Sequence, residues 1–185
     1  MTTPAFVRNY NQVIQVAQYS LNNDLHMPAL ILIYTLIDSI AWAAAPDKEQ
    51  QVRVRFEEWL NKYVLLQGKL LCTATELYAA RCGVLHTLTS SAKLTIKGGV
   101  RQITYSWGAA NPKAIDRAIE LIERKDIVGI HINDLLEAVT EGIAQTVESA
   151  ESDLDLKARL EAAASLHFTE MKKETLECLM REPHT

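Results

Sequence analysis

The chain has 185 residues, 23% of them charged and 48% hydrophobic, with a formal net charge of −4. That length predicts one domain and that balance an ordinary soluble globular protein, while only 7 Gly and 5 Pro exclude a disordered, collagen-like or turn-dense all-β chain. The cysteines are odd in number (Cys72, Cys82, Cys178) and the start MTTPAFVRNYNQ has no apolar leader core, so a disulfide scaffold and secretion are not expected and a cytoplasmic protein is.

Tyr10 to Leu21 reads as a short amphipathic helix, with Val13, Ile14, Ala17 and Leu21 on one face. Pro28 suits the first turn of a second helix running to about Ala45. Its run ALILIYTLIDSIAWAAA approaches membrane-spanning length but carries Asp38 near the middle, with Thr35 and Ser39 beside it. An ionisable group at mid-depth is costly in a bilayer, so the run reads as the buried central helix of a bundle and no membrane is expected. Gln51 to Leu66 follows as a third helix through Val52, Phe56, Trp59, Leu60 and Tyr63, with Gly68 as its stop. The fourth, about Lys69 to Thr87, carries the cleanest stripe: Leu70, Ala74, Leu77, Arg81, Val84 and Leu88, spaced alternately by four and three. Leu71, Tyr78, Cys82 and Leu85 widen it.

The period then changes. LTIK, Gly98-Gly99 and VRQITYSW predict a β-hairpin over about 93–107. Asn111-Pro112 opens a fifth helix with Ile115, Ala118, Ile119 and Ile122 on one face, and IVGIHI (127–132) fits a third short strand. A sixth helix follows Asn133, and Ser152 with Asp155 reads as a capping box for a last helix. The expected class is mainly α, in one domain over 1–185: a helical core over about 10–90, the hairpin as an insertion, and C-terminal helices over about 112–180.

Arg81 interrupts an apolar stripe, and an unpaired buried guanidinium is expensive. Asp38, on the equally apolar second helix, is its natural partner, in a core pair that fixes helix register; a bound anion is the alternative. His86 lies five residues on. On a straight helix the two side chains point about 140° apart and about 7.5 Å along the axis. They are expected to meet only if the helix ends or bends near Gly83, or if the site spans two chains packed through Leu77, Val84 and Leu88.

The stretch YAARCGVLHT, with Arg81 and His86 late in a long helix, resembles the R-x(4–6)-H motif of the HEPN superfamily (higher eukaryotes and prokaryotes nucleotide-binding). A second match, Arg124 to His131, straddles a predicted helix end and strand, where the motif has no such context. The resemblance implies a HEPN-type helical bundle and a homodimer whose two motifs form one cleft. It further implies a metal-independent, cofactor-free endoribonuclease of the toxin–antitoxin or phage-defence kind, with RNA or a nucleotide and an antitoxin protein as partners. Cleavage by the RNA's own 2′-hydroxyl would leave 2′,3′-cyclic phosphate and 5′-hydroxyl ends. Other members are inactive and only bind nucleotides or partner proteins, which is the alternative reading. Arg81 and His86 would be the catalytic residues and Asp38, Cys82 and Tyr78 the supporting ones. Histidine suits proton transfer at neutral pH, and arginine, permanently charged, suits the non-bridging phosphate oxygens.

Residues 48–125 hold 13 basic and 7 acidic side chains, net +6, against net −7 for 133–185. Within that basic stretch Lys93, Lys97 and Arg101 are candidate contacts to an RNA backbone, or simply a solvated face. Glu76 projects away from Arg81 and reads as a surface charge; Tyr78, Tyr105 and Trp107 could stack on bases, but core packing is the first expectation. With no H-x3-H, H-E-x-x-H or paired cysteines, a metal site is not expected.

Overall fold

The computed structural model describes residues 4–89, 95, 99–109 and 112–166. Seven α-helices run through them: α1 Pro4–Asn22, α2 His26–Ala44, α3 Val52–Tyr63, α4 Ala74–Thr87, α5 Pro112–Leu121, α6 Ile132–Ser149 and α7 Leu154–Ser165. Two strands, β1 Gln102–Ser106 and β2 Ile127–His131, flank α5. The mainly helical class expected from the sequence is the one the molecule has.

At the centre lies α2, which packs against α1, α3, α4, α6 and α7. Ile33, Tyr34, Ile37 and Ile40 along it are fully buried, and α2 is also long and apolar enough to cross a membrane by length and composition. Its C-terminus is set by Pro46: Ala45 takes φ −58°, ψ 134°, the extended conformation that a following proline favours. Lys48 Nζ donates to the carbonyls of Trp42 and Ala43 (2.5 and 3.0 Å) and Arg159 Nε to that of Ala44 (3.0 Å), so cations close the negative end of the helix. Trp59 Nε1 on α3 donates to the buried Thr146 hydroxyl on α6 at 3.0 Å.

The α3–α6 contact is close because Gly142 has no side chain. A Cβ there would lie 2.9 Å from Val64 Cγ2, 3.2 Å from Trp59 Cη2 and 3.2 Å from the Tyr63 carbonyl oxygen. Two of these three atoms belong to a β-branched side chain and a backbone, neither of which yields easily. Gly142→Ala is therefore expected to cost about 1–3 kcal/mol by overpacking. A lower urea midpoint at unchanged slope would show it; a wild-type midpoint would contradict this packing.

The sheet differs from the hairpin expectation. Strands β1 and β2 are parallel, in register from Gln102 opposite Ile127 to Ser106 opposite His131, so they form a β-α-β unit with α5 as the crossover. The second arm of the expected hairpin is indeed a strand, and among the described residues it pairs with IVGIH. Of that first arm only Thr95 is among the described residues, and its backbone is helical; Lys93, Leu94, Ile96, Lys97 and Gly98 lie outside them. The physical reason is burial: Ile103, Val128 and Ile130 go into the core, and a parallel pair roofed by a helix supplies it. Gly129 lets α5 approach, since a Cβ there would sit 2.6 Å from Ile115 Cγ2.

Three boundaries also move. Helix α1 starts at Pro4, ahead of the expected Tyr10. Helix α4 starts at Ala74 and not Lys69, because Thr73 and Glu76 form a capping box that fixes its first turn. Helix α7 is capped by Asp153, whose side chain accepts from Leu156 N at 2.9 Å, one residue away from the expected Ser152. The tail 167–185, where the last helix was expected to continue, lies outside the described residues.

Candidate functional site

Helices α2 and α4 bring Asp38 and Arg81 together, as their apolar settings demand. Arg81 donates to Asp38 Oδ2 from Nε (2.9 Å) and Nη2 (2.7 Å), and the two side chains are 15% and 22% exposed. Burial works against the guanidinium's charge, but the hydrogen bonds and charge of Asp38 outweigh it and raise its pKa above the ordinary arginine value.

His86 joins the same cluster. Arg81 Nη1 lies 3.1 Å from His86 Nε2, which corrects the expectation that an undistorted helix keeps them apart. Side chains on an α-helix lean towards its N-terminus, so His86 leans back towards Arg81, and the length of the arginine spans what remains. The helix closes just beyond: Leu88 takes a left-handed φ of 53°, and Thr89 N donates back to the Gly83 carbonyl at 3.2 Å. A guanidinium has donors only, so at this contact His86 Nε2 accepts. His86 is exposed, whereas Arg81 is mostly covered.

Tyr78 and Cys82 line the same side of α4. The guanidinium of Arg81 stands 6.0 Å from the Tyr78 ring centre and that of Arg53, from α3, 5.9 Å. Arg53 is a neighbour the sequence reading did not single out; its i,i+4 pair with Glu57 (2.8 Å) was the available signal. Burial, followed by the nearby Cys82 thiol, raises the Tyr78 pKa, so the ring presents a neutral hydroxyl. Phe56 packs edge-on against it at 5.5 Å. Tyr78 is thus wedged between helices and two cations.

The remaining candidates stand elsewhere. Lys93 and Lys97 lie outside the described residues. Arg101 is engaged with Glu76 at 2.6 Å and with the Leu71 carbonyl at 3.2 Å, so it is tied to the protein and is not a free phosphate contact. Glu76 is not a surface charge: its side chain is 6% exposed, because β1 lays Arg101 across the α4 N-terminus. Trp107 is 48% exposed and stacks on His26 (4.3 Å between ring centres), while Tyr105 hydrogen-bonds the buried Tyr34 hydroxyl.

The Glu76 carboxylate has a testable pH signature. Burial pushes its pKa up, but the hydrogen bond and charge of Arg101 and the Thr73 cap outweigh that and hold it below the usual value. A carboxyl with a depressed folded-state pKa stabilises the fold fully above its unfolded value, about 4.3, and loses that contribution as pH falls through the lower folded value. Glu76→Gln should therefore cost about 1–2 kcal/mol at neutral pH, as a cap and an ion pair are weakened. The gap to wild type should close in acid, read from urea midpoints across pH; a gap that widens in acid would contradict the pairing.

No protein-family model matches the chain, and neither a curated protein nor a solved structure does.

Proposed function

We propose that the chain is a HEPN-type, metal-independent endoribonuclease that acts as a cytoplasmic homodimer, with Arg81 and His86 in the site. The observation that carries this reading is the 3.1 Å contact between Arg81 Nη1 and His86 Nε2. An exposed imidazole beside a guanidinium is placed to move a proton next to a phosphate. His86 Nε2 takes the 2′-hydroxyl proton, the freed oxygen attacks the adjacent phosphorus, and the bond from phosphorus to the 5′-oxygen breaks. Arg81 Nη1, the nitrogen not committed to Asp38, turns to a non-bridging oxygen as charge builds there. The histidine of the second copy in the dimer, starting as the imidazolium and so released from its own Arg81, gives its proton to the leaving 5′-oxygen, and solvent restores both histidines. Asp38 acts by holding the guanidinium in place.

A second reading, a non-catalytic nucleotide-binding or protein-interaction homodimer, is favoured by one feature: two of the three guanidinium nitrogens are already spent on Asp38. Incubating the chain with mixed RNA in EDTA separates the two. Fragments ending in 2′,3′-cyclic phosphate and 5′-hydroxyl are expected; intact RNA of every kind at micromolar protein would leave only the non-catalytic reading. A toxin or phage-defence role, with an antitoxin protein as partner, follows from the first reading and is tested by growth arrest on expression.

A further inference from the structure

The C-terminal end of α2 gathers more positive charge than capping it requires. Lys48 and one nitrogen of Arg159 already serve its last carbonyls. Beside them opens a cavity of about 200 Å³, walled by α3, α7 and the end of α2. Arg55, Lys62 and Arg159 line it, against Glu58 as the acid in its wall. Glu58 accepts from Gln50 Nε2 at 3.0 Å. Among the described residues Arg159 has only its Nε engaged, and Arg55 reaches the Lys48 and Gln50 carbonyls at 3.4 Å each, beyond the usual range for such bonds. Burial, and then the charges of Arg159 and Arg55, depress the Lys48 pKa, so these cations oppose one another.

Tyr63 closes the wall with its ring: the residue is 6% exposed and lines the cavity, and Lys62 Nζ stands 4.9 Å from the ring centre. Its hydroxyl is sealed from solvent, so the charged lining of the cavity is the cation cluster and Glu58. Water filling the cavity would leave those like charges opposed; an anionic occupant relieves them.

We propose that this cavity binds a phosphate dianion, either free phosphate or the phosphate end of a nucleotide, held by Arg55, Lys62 and Arg159. Its volume lies below the roughly 300–1,000 Å³ of whole-ligand pockets, which suits a phosphoryl head with the rest of the ligand outside. The site is separate from the Arg81–His86 pair and stands whether or not that pair cleaves RNA.

The test is a titration of the full chain with inorganic phosphate at constant ionic strength, with chloride as control, followed by calorimetry and by Tm. Saturable binding that raises Tm is expected with phosphate and not with chloride. Arg55→Gln and Lys62→Gln should each weaken phosphate binding about tenfold, whereas Tyr63→Phe, whose lost hydroxyl does not reach the cavity, should bind like wild type. His86→Ala should bind phosphate like wild type. Competition by a 5′-phosphorylated oligoribonucleotide, but not by its 5′-hydroxyl form, would assign the ligand to a nucleotide end. Its absence would assign free phosphate. No saturable phosphate binding, or equal affinity in wild type, Arg55→Gln and Lys62→Gln, overturns the proposal.

Discussion

Replacing His86 by alanine is expected to lower RNA cleavage at least about a hundredfold, the usual contribution of a positioned acid or base. The expectation rests on the arrangement in which His86 would do that chemistry: its Nε2 lies 3.1 Å from Arg81 Nη1. Because the side chain is exposed and its hydrogen bond among the described residues is to Arg81, thermal unfolding should stay within about 0.5 kcal/mol of wild type, as for an ordinary surface substitution. The two measurements must be made together. Lost cleavage with an unchanged fold assigns proton transfer to His86, whereas lost cleavage with a lowered unfolding midpoint would mean only that the end of α4 has come apart. Undiminished cleavage by His86→Ala would remove the enzymatic reading altogether. His86→Gln sharpens the result, since an amide can hold the Arg81 contact but cannot carry a proton at neutral pH.

The ion pair on which that geometry depends was legible before the fold was. An arginine at the centre of the Leu77–Val84 stripe and an aspartate in the middle of an apolar helix each need a partner, and no other residue in the first four helices answers both needs. The Glu76–Arg101 pair was not legible, because helical projection places Glu76 relative to its own helix only. Its burial comes from β1, a tertiary neighbour that the chain delivers 25 residues later. The strands failed in a related way. Alternation marked VRQITYSW and IVGIHI as extended, but two glycines suggested the nearer pairing, and alternation does not say whether a strand pairs with a sequence neighbour or across a helix. The Arg81–His86 contact needed side-chain reach, which angular projection from Cβ leaves out. The cavity at Tyr63 was invisible for the plainest reason: Arg55, Lys62 and Arg159 come from two helices far apart in the chain, and no periodicity joins them.

Asp38→Ala is expected to be the most destabilising substitution in the helical core that leaves packing volume nearly intact. Removing one partner of a buried ion pair costs about 3–5 kcal/mol when solvent is fully excluded. Solvent reaches 22% of Asp38 and 15% of Arg81, so about 2–3 kcal/mol is expected here after screening. The loss comes from the guanidinium left behind, whose Nε and Nη2 would face apolar neighbours with nothing to accept from them. The cause is separable from the deletion itself. In the double variant Asp38→Ala, Arg81→Met the stranded charge is gone and a flexible apolar chain fills its path, so much of the lost stability should return, as when buried ion pairs are replaced by apolar residues. Urea unfolding of wild type, both single variants and the double gives the coupling directly. A coupling below about 0.5 kcal/mol would show that the pair is screened like a surface bridge. The stability-restored double variant should also be inactive on RNA, because what returns is the fold of α2 against α4 and not the charge that faces the phosphate.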